Sequence, residues 1–280
     1  MTYALEVEHV SKAYDNFELH DINFKLEKGL ILGLIGVNGA GKTTLIQTIL
    51  GLYKKTGTIK IHGLDTNEYE RETKDLCGFV LDDNPFLPAL NALRNARLLG
   101  PYYSHWNEKQ FLDYCKKFEV NIKKPLSKLS QGTVTKFQLA FALSHNAQLL
   151  VFDEPSSGLD PIFRRELLDI MYDVIMDGER SVLFSTHLTN DLDHVADHIV
   201  MLHNGKQLFS LPKEELLDRY LLVRGSQDEI KEINEKAVIG RKYGELYAEA
   251  LLQIDLCEDV SRLTTMRPTI EDIMFYMVKQ

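Results

Sequence analysis

Cysteine is scarce. Cys77, Cys115 and Cys257 are the only 3 in 280 residues. They lie far apart, are odd in number, and show no CxxC or other metal-ligand spacing. This excludes a disulfide framework and a cysteine zinc site, and fits reduced core or surface thiols. Long apolar runs are missing as well. No window approaches the ~18 uncharged apolar residues that a membrane span needs. The N-terminal stretch MTYALEVEHVSKAYD carries Glu6, Glu8 and Lys12 and lacks the apolar core of a signal peptide. The chain is therefore expected to be soluble by itself, so that any action at a membrane requires another subunit to do the crossing. Nor is there a basic surplus: 32 Lys and Arg against 41 Asp and Glu give a net charge of −9, which disfavours general binding to DNA or RNA. Internal repeats and low-complexity tracts are absent. What remains is ordinary globular composition, 44% hydrophobic and 26% charged, with enough apolar residues for a sizeable core.

Along the chain, YALEVEHVSKAY and FELHDINFKLEKG alternate apolar with polar residues and predict antiparallel strands with one wet face. LILGLIG is apolar throughout and predicts a strand buried on both faces. Lys42 to Leu50 predicts a helix, and GTIKIHG a short strand. Asn91 to Lys117 is helical by pattern, and a further helix is expected from Thr133. AQLLVFDEP is a second buried strand stopped by Pro155. Pro161 opens a helix through Met176, and RSVLFSTH is a third buried strand. This order implies a mostly parallel sheet with helices on both faces. From about Leu221 the texture changes to LLVRG, a charged helix, two short strand candidates and a last helix TIEDIMFYMVKQ, which together predict a small α/β appendix.

GVNGAGKT, Gly36 to Thr43, fits G-x-x-x-x-G-K-[ST] between a strand and a helix. With glycine near 7% of residues, the bare pattern arises by chance in roughly one chain in a hundred, and the strand–helix context makes it rarer. Glycines let the backbone turn so that the N–H groups of Asn38, Gly39, Ala40 and Gly41 converge on an anion. The helix N-terminus adds positive potential. The Lys42 ammonium can reach β- and γ-phosphates, the Thr43 hydroxyl can bind Mg²⁺, and Thr44 follows beside the α-phosphate. This loop alone does not separate kinase, GTPase and motor. LLVFDEP narrows the choice: Asp153 at a buried strand end can hold Mg²⁺, and Glu154 can polarise a water. Two carboxylates at the end of an apolar strand are otherwise costly to bury.

With those motifs in order, residues 2–220 strongly resemble the ATP-binding subunits of ABC transporters. LSQGT, Leu129 to Thr133, occupies the place of the family signature LSGGQ. SSGLD, Ser156 to Asp160, resembles the D-loop. His187 in FSTH resembles the switch histidine, and Tyr14 sits where the family puts an aromatic residue against adenine. The resemblance implies two such domains meeting head to tail, each ATP lying between one phosphate loop and the partner's signature. It further implies that Ser130 and Gly132 contact the γ-phosphate, that Asp153 binds Mg²⁺, that Glu154 orients water, that His187 contacts the γ-phosphate, and that Asp160 communicates across the dimer.

The sequence departs from the family pattern at several positions. Gln131 and Thr133 replace the signature's first glycine and final glutamine. The Q-loop glutamine aligns with Asp82, or with Asp83 one residue on. A shorter, charged acceptor there could reach Mg²⁺ through water. The helical insert resembles the subdomain whose groove receives a short helix from the membrane subunit, with Phe86, Leu87, Leu90 and Leu93 expected near that groove. The tail is similar to those of bacterial ABC-2-like exporter ATPases.

The resulting expectation is an α/β P-loop NTPase with a mostly parallel central sheet, an N-terminal antiparallel β subdomain and an α-helical subdomain at about 85–145. The ATPase domain would span 1–220 and a small α/β accessory domain 221–280. The implied activity is MgATP hydrolysis powering an exporter of peptides or amphiphiles. The implied partners are integral-membrane subunits and a second ATPase subunit, identical or different, and the implied location is cytoplasmic, on the inner face of the membrane. The alternatives are an importer subunit and a soluble non-transport ABC ATPase. A generic P-loop kinase would have no reason for LSQGT followed by LLVFDEP.

Overall fold

The computed structural model describes residues 3–14, 17–257 and 260–279. β1 (Tyr3–Ala13) and β2 (Glu18–Glu27) pair antiparallel. Leu5 and Val7 of the first and Ile22, Phe24 and Leu26 of the second are buried, as their alternation predicts, and the three-residue steps to Val10 and from Leu19 fall at register shifts that keep those side chains inside. β3 (Ile31–Ile35) is buried at every position because both its faces are covered. Leu32 and Leu34 join α1 (Lys42–Ile49) and the N-terminal strands in one apolar cluster, while Ile31 and Ile35 join a second cluster on the opposite face.

After α1 the chain forms β4 (Thr56–Ile61), β5 (Leu64–Asp65), α2 (Glu70–Asp75) and β6 (Cys77–Val80). The stretch expected as one helix from Asn91 to Lys117 is two, α3 (Ala92–Leu99) and α4 (Glu108–Lys117). Pro101 cannot continue the first helix. The chain then folds back so that the Trp106 ring lies against Gly100, where an added Cβ would stand 2.3 Å from it. Asn107 caps the second helix by accepting from the Gln110 N–H. The amphipathic pattern runs through both helices, which is why periodicity alone does not reveal the break.

α5 (Gln131–Ala142) starts two residues earlier than expected and is capped by Ser130. β7 (Leu149–Asp153), α6 (Pro161–Ile175) and β8 (Ser181–Thr186) follow as expected to within a residue or two. α7 (Thr189–Val195), β9 (His198–His203), β10 (Lys206–Pro212) and α8 (Lys213–Arg219) complete the body. The large sheet runs β5-β4-β1-β2-β10-β9-β3-β8-β7-β6, and β9, β3, β8, β7 and β6 are mutually parallel. The hairpin β9–β10, which turns at Asn204-Gly205, is absent from the sequence reading. It joins the antiparallel half to the parallel half, through a parallel contact of β10 with β2 and a parallel ladder of β9 with β3.

The C-terminal segment forms β11 (Tyr220–Gly225), α9 (Gln227–Glu232), β12 (Val238–Tyr243), β13 (Ala248–Gln253), β14 (Thr264–Met266) and α10 (Ile270–Val278). Its sheet order is β12-β13-β11-β14, and the short β14 had no sequence signal. α10 is capped by a reciprocal Thr269–Asp272 pair and buries Ile270, Ile273 and Tyr276 in the same apolar cluster as Leu192 of α7. Replacing the fully buried Ile273 with alanine is expected to lower unfolding free energy by about 2–5 kcal/mol. Urea denaturation of the full chain measures it, and an unshifted midpoint would show that α10 is not anchored to the body.

Candidate functional site

β7, β8 and β3 are neighbours and parallel, so their C-terminal ends open on one edge of the sheet. In open α/β sheets this edge is where ligands bind. The loop from Gly36 to Gly41 leaves β3 there. Gly41, with φ 107°, turns the chain into α1 in a conformation that suits glycine, and no side chain caps that helix, leaving its first N–H groups free for an anion.

Lys42 is only 6% exposed. Its Nζ donates to the Gly36 carbonyl at 2.8 Å and stands 3.3 Å from Oε1 of Glu154. The other carboxylate oxygen of Glu154 lies 2.6 Å from Nδ1 of His187 and accepts the His187 backbone N–H at 3.2 Å. Glu154 thus joins the groups on either side of it, the lysine that opens α1 and a histidine just past β8. Its backbone is in the left-handed region, φ 48°, an uncommon choice for glutamate. It is held there by N–H bonds to Oγ and the carbonyl of Ser185.

Asp153, at the last position of β7, is 2% exposed. Burial raises its carboxyl above the usual range, the Ser185 hydroxyl (2.6 Å) and the Thr43 hydroxyl counter this, and the charges of Glu154 and Asp82 add to the rise. A hydroxyl beside a carboxylate is a hard oxygen donor set that fits a magnesium-like cation. Among the described residues no group of three or more His, Cys, Asp or Glu side chains could hold a metal. A cation here would draw its remaining ligands from phosphate oxygens and water.

The cleft has a volume of about 570 Å³, within the range of small-molecule sites. Tyr14, Asn38, Gly39, Ala40, Gly41, Lys42, Thr43, Thr44, Asp82, Glu154 and His187 all line it, joined by Phe17 and Ser157. Tyr14 remains 41% exposed. Its ring meets Tyr53 edge-on at 5.6 Å, and the Lys12 ammonium lies 4.7 Å from its centroid. Ser130, Gly132 and Asp160 do not line this cleft. Ser130 caps α5 through the Thr133 N–H, and Asp160 caps α6 through the N–H groups of Ile162 and Phe163. Sequence reasoning missed Phe17 and Ser185. Phe17 had a signal, an aromatic residue three beyond Tyr14. Ser185 had none apart from its place in FSTH.

The apolar groove differs from the expected one. Phe86 is buried against Phe137 and Phe141, and only Leu87 of the four expected residues is largely exposed. A groove of about 270 Å³ lies instead among Leu50, Leu52, Phe79, Leu81, Pro85 and Tyr103.

The ABC transporter family matches residues 19–157. Bacitracin transport ATP-binding protein BcrA of Bacillus licheniformis is 30% identical over 228 residues, covering 78% of this chain and 73% of that one. Lantibiotic transport ATP-binding protein SrtF of Streptococcus pyogenes is 31% identical over 206 residues, covering 72% and 88%. Ribose import ATP-binding protein RbsA of Hahella chejuensis is 32% identical over 221 residues, covering 74% and 44%. A solved ATP-binding subunit of an ABC transporter superposes with a TM-score of 0.71 at 26% identity, covering 77% of this chain and 92% of that one.

The raised Asp153 carboxyl makes a stability prediction. An acid raised in the folded state contributes stability below its unfolded pKa, about 3.9, and loses it as pH rises through the folded value. At pH 7 the buried charge is a cost, so Asp153→Asn is expected to raise Tm by about 2–4 °C without nucleotide. Near pH 4 the gain should vanish. A gain equal at both pH values would rule out the buried charge as its source.

Proposed function

This chain belongs to the ABC transporter family as one of its ATP-binding, ATP-hydrolysing subunits, and from that premise we propose that it powers an exporter as half of a head-to-tail ATPase pair. The observation that carries the reading is the Lys42–Glu154–His187 contact beside the phosphate loop, with Ser130 and Gly132 outside that cleft. Residues that serve ATP from outside their own cleft suit a site completed by a second chain.

In this reading the N–H groups of Asn38, Gly39 and Gly41 and the N-terminus of α1 hold the β-phosphate, while the Ala40 N–H closes the loop on the Val37 carbonyl and Tyr14 stacks on the base. Thr43 and Asp153, with Asp82 through water, would hold Mg²⁺, which when bound offsets the charge of the phosphates. The γ-phosphate takes over Lys42 and His187 from Glu154. The freed carboxylate then orients a water. The water oxygen bonds to the γ-phosphorus as the bond to the bridging oxygen breaks, giving ADP and phosphate. The partner's signature residues and Asp160 complete and couple the two sites.

Integral-membrane subunits are the second partner. The groove at Leu52, Phe79 and Tyr103 supports their docking: it is apolar and lies beside the segment leading to Asp82. Among the described residues no helix is long and apolar enough to cross a membrane, which suits a peripheral seat on the cytoplasmic face. The relatives named for bacitracin and lantibiotic transport support a peptide or amphiphile as cargo. We place the ATPase unit at about 1–220, helical subdomain included, and the accessory unit at 221–280.

Two tests follow. Specific ATPase activity should rise with protein concentration, and Glu154→Gln should lower turnover by at least about 100-fold while accumulating an ATP-bound dimer. Activity independent of concentration in a protein that sizes as a monomer would refute the paired site. Leu52→Glu should abolish co-purification with the membrane subunits, and undiminished co-purification would remove the groove from that role. Cargo accumulation in inside-out vesicles on adding ATP would support export, and cargo loss would point to import.

A further inference from the structure

Two of the positions at which the sequence leaves the family pattern touch each other. Gln131, where the signature has its first glycine, donates from Nε2 to Oδ1 of Asp82 at 3.3 Å, across 49 residues of sequence. Seven residues along α5, on the same helix face, Gln138 grips the preceding residue. Its Oε1 accepts the Leu81 N–H at 2.9 Å and its Nε2 donates to the Leu81 carbonyl at 3.0 Å. Gln138 is 2% exposed, so breaking this pair would strand buried polar groups. The end of β6 therefore moves with α5.

The other side of the Gln131 stem faces Gly158 in the SSGLD loop, where an added Cβ would stand 3.5 Å from its Cγ. Gly132 abuts the same loop: its Cβ would be 2.8 Å from the Gly158 carbonyl oxygen. Only Asp82 of this group lines the nucleotide cleft. Gln131 thus spans from the helix end that carries the signature to a carboxylate in the chain's own nucleotide site. A glycine at 131 has no side chain to do so. The bond is long and both side chains are exposed, so its weight lies in placing Asp82 and not in stability.

We propose that Gln131 is a positioning residue that ties Asp82 to the signature end of α5, so that a partner's nucleotide meeting Ser130 and Gly132 moves a group in this chain's own nucleotide site. The inference rests on the paired-site reading given above. It makes the two sites of a dimer energetically coupled through one side-chain contact, and such coupling is reciprocal.

The experiment is ATP dependence of hydrolysis in the full chain, for wild type, Gln131→Ala, Asp82→Ala, the double variant and Asp82→Asn. Protein concentration is set where wild-type specific activity has stopped rising. The wild type is expected to give a Hill coefficient above about 1.5, and each alanine variant to fall to about 1 with kcat reduced roughly 3- to 10-fold. Half-saturating ATP should move less than about 2-fold for Gln131→Ala, because the phosphate loop is untouched. The double variant should be no worse than the worse single. Asp82→Asn, which keeps an oxygen acceptor for the Gln131 amide, should retain the Hill coefficient. A double variant whose kcat loss equals the product of the singles overturns the proposal. So does a wild-type Hill coefficient of 1 in a preparation whose specific activity rose with concentration before levelling off, a result that leaves the paired site standing. Concentration-independent activity from a monomer removes the paired site and this inference together.

Discussion

A buried ammonium needs a counter-charge, and this one is met only at the meeting point of three strands. Lys42 is almost fully enclosed. Leaving it unpaired would cost several kcal/mol. Glu154 supplies the charge, but Glu154 is on the far side of β8 from the loop that carries Lys42. Parallel pairing of β3, β8 and β7 brings their C-terminal ends into line, and a left-handed turn at Glu154 aims the carboxylate back across β8. Ser185 holds that turn and also bonds Asp153. One serine therefore fixes both carboxylates. The same contact explains how the site is poised: the Lys42 ammonium and the His187 ring already share one anionic partner, so an anion arriving there would take the place of Glu154 and release its carboxylate into the cleft.

α5 is the beam on which the rest is aligned. Phe137 and Phe141 on its buried face pack with Phe86, Phe111 and Trp106. Its polar residues clasp β6 at both ends, Gln138 at Leu81 and, just past the helix, His145 at the Cys77 carbonyl. Burial lowers the His145 pKa, against the pull of the Cys77 and Phe141 carbonyls on its two ring nitrogens. A helix fixed by an aromatic cluster on one side and by paired backbone bonds on the other moves as a rigid body. Whatever displaces its N-terminus displaces the segment at Asp82.

The strands with strict alternation or continuous apolar character were legible because burial on one or two faces leaves a period that sequence alone displays. The phosphate loop and the LLVFDEP strand were legible because few residue types can turn tightly around an anion or end a buried strand in two carboxylates. The Gly100–Pro101 break does carry a sequence signal, a Gly-Pro step that marks a turn, which reading Asn91 to Lys117 as one helix passes over. β9 and β10 did carry a signal, the buried run IVML followed by an Asn-Gly turn with both residues at positive φ, which the sequence reading passes over. Of the residues expected near the groove, Phe86 packs into the aromatic cluster while Pro85 beside it lines the observed groove, and which side a residue takes is a tertiary choice that apolar character does not encode. The contacts at Ser185 and Gln131 are tertiary, 31 or more residues apart, and no local pattern encodes them.

The C-terminal segment illustrates how burial decides what an experiment can ask. Its ion pairs to the body, Arg267 with Glu214 and Asp218, are exposed and so contribute little. Its real attachment is apolar: Ile270, Ile273 and Tyr276 share a core with Leu192, and α7, which holds Leu192, begins two residues after His187. Deleting the tail would therefore open the core beneath His187, and a lost dimer would not distinguish a missing interface from a damaged site. The hairpin tip between β12 and β13 is different. Leu246 there is 93% exposed, so a polar residue in its place changes the surface without disturbing the core. Substitution at that tip, not truncation, is the change that separates a surface role of the tail from its structural one.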